Sequence, residues 1–178
     1  MEPKVVKVKI CLVGEEGVGK TSLIRRFVTG QFDELYIRTL GAVVSKKTIE
    51  FDEPRGAPTQ VDLVILDIIG KRTFMQLFKD AYFSGARGIL GVFDRTRRAT
   101  LNELPAWITG VRETVGQVPV VVLANKDDLK ERHEARDDEV SAILNPLDVT
   151  TMRTSAKTGE NVERAFNELA RTIVLAPA

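Results

Sequence analysis

The run Gly14-Glu15-Glu16-Gly17-Val18-Gly19-Lys20-Thr21 places two glycines around four residues and follows them with a lysine and a threonine. Residues of these types at this spacing suit phosphate binding. Glycines let successive backbone N–H groups curl around an anion, and a helix beginning at the lysine adds partial positive charge at its N-terminus. Lys20 is the candidate for the β- and γ-phosphates, and the Thr21 hydroxyl for a magnesium ion. The expected nucleotide-contacting set is Glu16, Gly17, Val18, Gly19, Lys20, Thr21 and Ser22. An apolar run precedes the motif and a helix-period segment follows it, which is the context a phosphate-binding loop requires.

Two further clusters belong with this one. Asp67-Ile68-Ile69-Gly70 ends a strand-like run. A carboxylate there can hold magnesium through a water, and the Gly70 N–H can meet a γ-phosphate. Asn125-Lys126-Asp127-Asp128 ends the apolar run Val118–Leu123, at what would be the carboxyl edge of a sheet. A carboxylate at this place accepts from both N1–H and the 2-amino group of guanine, whereas adenine would leave it unpaired. Asp127 competes for the role, but the spacing favours Asp128. The Lys126 stem can lie along the base plane, and Asn125 can tie this loop to the phosphate loop. Later, Thr154-Ser155-Ala156-Lys157 ends the last strand-like run, where the Ala156 N–H could address guanine O6.

The elements that must carry these clusters alternate between short β-branched runs and helix-period segments, the pattern of an α/β protein with a mostly parallel sheet. Strands are expected at Val5–Val13, Val43–Phe51, Gln60–Asp67, Gly88–Asp94, Val118–Asn125 and Val149–Thr154, the last three of buried type. Helices are expected at Lys20–Thr29, Phe74–Phe83, Ala99–Val115, Asp137–Leu144 and Val162–Leu175, with Gly30 stopping the first. Val43–Phe51 and Gln60–Asp67 are joined by Asp52–Thr59, which contains Pro54, Gly56 and Pro58, so this pair is expected to run antiparallel. No repeat or linker interrupts the chain. Residues 1–178 read as one nucleotide-binding domain with its core at about 5–175.

In this order and spacing, Gly14–Thr21, Asp67–Gly70, Asn125–Asp128 and Ser155–Lys157 resemble the Ras superfamily of small GTPases, over roughly residues 5–175. The segment Gly17-Val18-Gly19-Lys20-Thr21-Ser22-Leu23 and the surroundings of Trp107 are similar to the Rab and Rab-like branches. The resemblance implies a P-loop fold of six strands, one of them antiparallel at an edge, and about five helices. It also implies a magnesium-dependent switch between GTP and GDP. It adds residues that spacing alone does not mark. Thr39 matches the threonine that ligates Mg²⁺ only in the GTP state, Phe32 the aromatic residue on the guanine edge, and Tyr36 the tyrosine over the phosphates. Metal ligation then falls to Thr21, Thr39 and, through water, Asp67, and the hydrolytic set is Lys20, Thr39, Gly70 and the residue at position 71. Effectors, exchange factors and GTPase-activating proteins would meet residues 34–41 and 70–78.

The sequence departs from this family pattern at three positions. Lys71 stands where the family has a glutamine that orients the attacking water, and an ammonium has no acceptor with which to do so. Glu16 brings a carboxylate close to the γ-phosphate, and Arg38 replaces a proline. Slow intrinsic hydrolysis is the expectation, with an external arginine able to restore about 10³–10⁵-fold. Arg72 and Arg38 are candidate internal substitutes, though solvated surface charge is the plainer reading of both. The rival function is a pseudo-GTPase scaffold that holds GTP. A small-substrate P-loop kinase is disfavoured by Asp128 and by the want of an identifiable arginine-bearing lid.

The remaining features are read as ordinary. Arg95, Arg97 and Arg98 are expected to form a solvated basic face, His133 to be exposed, and the Asp52–Thr59 loop to be a tolerated insertion. With 26 basic and 25 acidic residues the net charge is +1, which gives no electrostatic case for nucleic acid. Cys11 is the lone cysteine and sits in an apolar run, so a core thiol in a reducing, cytoplasmic setting is expected. Position 2 is Glu rather than Gly, the last four residues hold no cysteine, and no run reaches membrane-spanning length, so no membrane anchor is expected in this chain.

Overall fold

The computed structural model describes residues 3–33, 41–52 and 58–176. The expectations for Tyr36, Arg38, Thr39 and most of the 34–41 segment fall outside these residues, as does the 53–57 part of the hairpin connection.

Six strands form one sheet: β1 (Lys4–Val13), β2 (Ala42–Phe51), β3 (Thr59–Ile68), β4 (Ala86–Asp94), β5 (Val120–Asn125) and β6 (Thr150–Arg153). They lie in the order β2-β3-β1-β4-β5-β6. β2 pairs antiparallel with β3, and every other pairing is parallel. Among the described residues, five α-helices accompany the sheet: α1 (Lys20–Thr29), α2 (Arg72–Phe83), α3 (Arg98–Val115), α4 (Asp137–Leu144) and, after the last strand, α5 (Val162–Leu175). This is the α/β small-GTPase architecture that the resemblance implies.

Strand periodicity sorts the core into two layers. From β1, Val8, Ile10 and Leu12 face a cluster with Leu23, Ile24 and Phe27 of α1 and Phe166, Leu169 and Ile173 of α5. Cys11 and Val13 point the other way, towards Met75 of α2, Trp107 and Ile108 of α3, and Val140 of α4. The Phe27 and Phe166 rings stack with centroids 4.1 Å apart, locking α1 to α5. α1 ends as expected, with Gly30 in the left-handed region at φ 72° and its N–H on Arg26 O.

One strand differs from expectation. β6 is mostly exposed rather than buried, because it is the last strand of the sheet and pairs only with β5. The five parallel strands, β1, β3, β4, β5 and β6, deliver their carboxyl ends to one rim. Gly14 follows β1, Asp67 lies near the end of β3, and Asp94 and Asn125 end β4 and β5.

Candidate nucleotide site

The loop between β1 and α1 wraps the Lys20 side chain, which is buried. Its Nζ donates to Gly14 O at 2.8 Å and Glu15 O at 2.9 Å. Burial lowers the Lys20 pKa to about 8, against the raising influence of Asp67, Glu15 and Glu16. An ammonium so held is desolvated and ready to meet phosphate. Beside it, Thr21 Oγ1 donates to Asp67 Oδ2 at 2.5 Å, bringing together a hydroxyl and a carboxylate from α1 and β3. Both are hard oxygen donors of the kind magnesium takes, so these residues fit the ion. Gly70 lies against the loop so closely that a Cβ there would stand 2.3 Å from Glu16 N, leaving room for glycine alone.

The rest of the loop is gripped from the end of β5 and the segment that follows it. Asn125 Nδ2 donates to Val18 O at 2.9 Å, and Lys126 Nζ to Gly17 O at 3.0 Å. Gly19, at φ 105°, could not carry a side chain, since its Cβ would fall 2.3 Å from Asn125 Nδ2. Lys126 also donates to Asp94 Oδ2 at 2.6 Å. Asp94 is buried and accepts from Thr96 N and Thr96 Oγ1 as well. Burial pushes its pKa up, but the hydrogen bonds from Lys126 and Thr96 outweigh this and hold the carboxyl below its usual range.

At the base end, Asp128 Oδ1 accepts from Ser155 Oγ at 2.8 Å, which fixes the carboxylate at the rim of a cavity of about 440 Å³. Asp127 points elsewhere and pairs with the buried Arg95 guanidinium, which also donates to Asp137 Oδ1 at 2.9 Å. The two acidic residues are thereby separated into a structural ion pair and a cavity-lining carboxylate. Ala156, Lys157 and Phe32 line the same end. Arg26 of α1 donates from Nε to Ala156 O at 2.8 Å and from Nη2 to Lys157 O, holding that loop against α1.

Most of the residues singled out from sequence therefore converge. Glu16, Gly17, Gly19, Lys20, Thr21, Ser22, Phe32, Gly70, Asn125, Lys126, Asp128, Ala156 and Lys157 all line the one cavity. Val18 is buried in the core behind the loop, and Ser155 is buried beneath Asp128. Lys71 does not line the cavity; it stands exposed at the N-cap of α2. The basic face read from Arg95, Arg97 and Arg98 is corrected at Arg95, which is buried in its ion pairs; Arg97 and Arg98 are exposed, the latter engaged by Glu134 and Glu139. His133 is half-buried rather than exposed. The residues missed were Asp94, Arg26 and the hydrogen bond from Trp107 Nε1 to Glu15 Oε1 at 2.9 Å. Of these, only Asp94 had a local sign, a carboxylate at the end of an apolar strand.

A comparison with known families decides what this arrangement belongs to. The Ras family model matches residues 9–175. The chain belongs to the Ras family. Curated relatives agree with this. Ras-related protein Rab-13 from Mesocricetus auratus is 32% identical over 94% of this chain and 80% of its own length. GTP-binding nuclear protein GSP1 from Encephalitozoon cuniculi is 35% identical over 96% of this chain and 78% of its own. Rab-13 from Rattus norvegicus is 32% identical with the coverage of its hamster counterpart. This Ras-family chain is thus a small GTPase by descent. The motifs that line its cavity lie within the matched span.

Proposed function

We propose that this protein binds GTP and GDP with Mg²⁺ and acts as a switch that hydrolyses GTP slowly. The observation that carries the reading is the convergence of Lys20, Thr21, Asp128 and Ala156 on one cavity, with Asp67 accepting from Thr21 beside it. Asp128 is set to accept from the guanine edge, and the Ala156 N–H to donate to O6. Lys20 supplies a desolvated positive charge at the β- and γ-phosphates, and Thr21 with Asp67, joined by Thr39, would hold the magnesium. When bound, Mg²⁺ neutralises charge on the phosphate oxygens. The chain contributes positioning and electrostatics rather than a covalent intermediate.

Gly70 offers an N–H to the γ-phosphate, and α2 begins immediately after it. Loss of that phosphate would release Gly70 and residues 70–78, together with 34–41, which is the switching step. Leu77 and Phe78 in this stretch are large and exposed, 76% and 45%, which suits contact with effectors, exchange factors and activating proteins. We take residues 1–178 to work as one GTP-binding unit. The free, buried Cys11 fits a reducing, cytoplasmic setting. No described helix is long and apolar enough to cross a membrane.

A slow rate follows from Lys71. Its exposed ammonium offers donors only, so no amide acceptor is presented at this position to orient water. The same residue favours the second reading, a scaffold that holds GTP with negligible turnover. Single-turnover hydrolysis of pre-loaded GTP at saturating Mg²⁺ separates them. We expect measurable but slow turnover, accelerated about tenfold in Lys71→Gln, the worth of one well-placed hydrogen bond. No turnover in the wild type would establish the scaffold. Equal rates in wild type and variant would remove Lys71 as the cause of slowness.

A further inference from the structure

Carbonyls of the phosphate loop are held by three side chains, of which only two belong to the Asn125–Asp128 motif. Asn125 takes Val18 O and Lys126 takes Gly17 O. The third is Arg97, whose Nη2 donates to Glu16 O at 3.0 Å. Three consecutive carbonyls, those of residues 16, 17 and 18, are therefore pulled one way. In a trans peptide the C=O of one residue and the N–H of the next point in opposite directions. Drawing these carbonyls outward turns the N–H groups of Gly17, Val18 and Gly19 inward, on the side where Gly17 and Gly19 line the cavity. Among the described residues those three N–H groups have no protein acceptor. A row of inward N–H groups is an anion cradle.

Arg97 is built to hold its carbonyl. Its Nε donates to Asp94 Oδ2 at 3.0 Å, the carboxylate that also receives Lys126. The buried Asp94 is thus a shared anchor for two cations, each of which grips one carbonyl of the loop. The Arg97 backbone is fixed too, its N–H on Asp94 O and its carbonyl on Thr100 N. Although the side chain is 45% exposed, the guanidinium fork spans a carboxylate and a carbonyl at once. A lysine ammonium, a point charge on a flexible stem, lacks that fixed span.

We propose that Arg97 is a positioning residue for the phosphate end of the site: by holding Glu16 O against Asp94 it aims the Gly17 N–H at the phosphates of a bound guanosine di- or triphosphate. The role rests on the nucleotide-binding reading above, and it replaces the expectation that Arg97 is a solvated surface charge.

The test measures release of a fluorescent GDP from wild type, Arg97→Ala and Arg97→Lys in excess unlabelled GDP with Mg²⁺. The ratio of GDP to inosine diphosphate affinity is measured alongside. A hydrogen bond from a charged donor, discounted for partial exposure, corresponds to about tenfold. Arg97→Ala is expected to release GDP about tenfold faster, with Arg97→Lys between it and wild type. The GDP to inosine diphosphate ratio should stay within about twofold, because the 2-amino group is read by Asp128 at the other end of the cavity. Release from Arg97→Ala within about twofold of wild type would overturn the assignment. So would faster release accompanied by an equal loss of guanine preference, which would mark a general loosening of the site. A wild type that fails to bind GDP would overturn the underlying reading itself, whereas normal wild-type binding with an indifferent Arg97→Ala would overturn only the role of Arg97.

Discussion

On the function proposed above, base choice turns on the carboxylate of Asp128, whose Oδ1 is already fixed by Ser155 Oγ at 2.8 Å. A carboxylate has acceptors only, so it suits a base edge that presents two donors, as guanine does with N1–H and its 2-amino group. Xanthine keeps N1–H but replaces the amino group with a carbonyl. An asparagine at the same place would accept from N1–H and donate to that carbonyl, while still accepting from Ser155. Asp128→Asn is therefore expected to lose GDP affinity by about a thousandfold or more and to prefer xanthosine diphosphate. Competitive displacement of a labelled nucleotide checks this. A variant that still preferred GDP would place guanine recognition on another residue. Asp127→Asn offers the contrast, since that side chain pairs with Arg95 and does not line the cavity.

At the scale of elements, the carboxyl end of β4 organises the site through Asp94. Its folded pKa is depressed, because the bonds from Lys126 and Thr96 outweigh the cost of burial. A carboxylate with a depressed folded pKa contributes stability above its unfolded value of about 3.9, and that contribution is lost as pH falls through the folded value. Asp94→Asn should thus be clearly less stable than wild type at pH 7, with the gap closing below about pH 4; urea unfolding at several pH values would show it. A gap independent of pH would mean that Asp94 acts by shape alone. The role of this strand end was only half visible in the sequence. The apolar run ending in an acid marked the position, and Arg97 lies only three residues on, but the partner Lys126 lies 32 residues away after β5. Arg95 was misread for the same reason: Asp127 and Asp137 lie 32 and 42 residues away, beyond any local pattern. Elements with strong periodicity were legible almost to the residue. In α5, Val162, Ala165, Phe166, Leu169 and Ile173 recur along one face, and both ends agree with expectation. β6 misled because the residues of a strand do not reveal whether another strand lies beyond it. The motif residues were legible because close packing around a phosphate leaves few substitutes, as the space at Gly19 and Gly70 shows.

Over the whole molecule, the two ends of the site belong to different stretches of chain. In the proposed reading, Gly14–Thr21 and Asp67–Gly70 supply the phosphate end, and Asn125–Asp128 with Ser155–Lys157 the base end. Asn125, Lys126 and Arg26 already tie these stretches together through Val18 O, Gly17 O and Ala156 O. A nucleotide lying between them adds bonds to both at once, so binding and folding are linked. A ligand that binds only the folded state at about a hundred times its Kd adds about 2.7 kcal/mol. For a chain of this size that corresponds to a rise in Tm of roughly 5–10 °C. GDP with Mg²⁺ is expected to produce such a shift in thermal unfolding, and ADP to produce none, since Asp128 would be left without donors. Chelation of magnesium with EDTA should remove much of the gain in wild type. In Thr21→Ala the hydroxyl that meets Asp67 is gone, so the GDP shift should start smaller and respond little to EDTA. Equal shifts with GDP and ADP would break the link from Asp128 to guanine. An EDTA response in Thr21→Ala as large as in wild type would instead move the metal away from the Thr21–Asp67 pair.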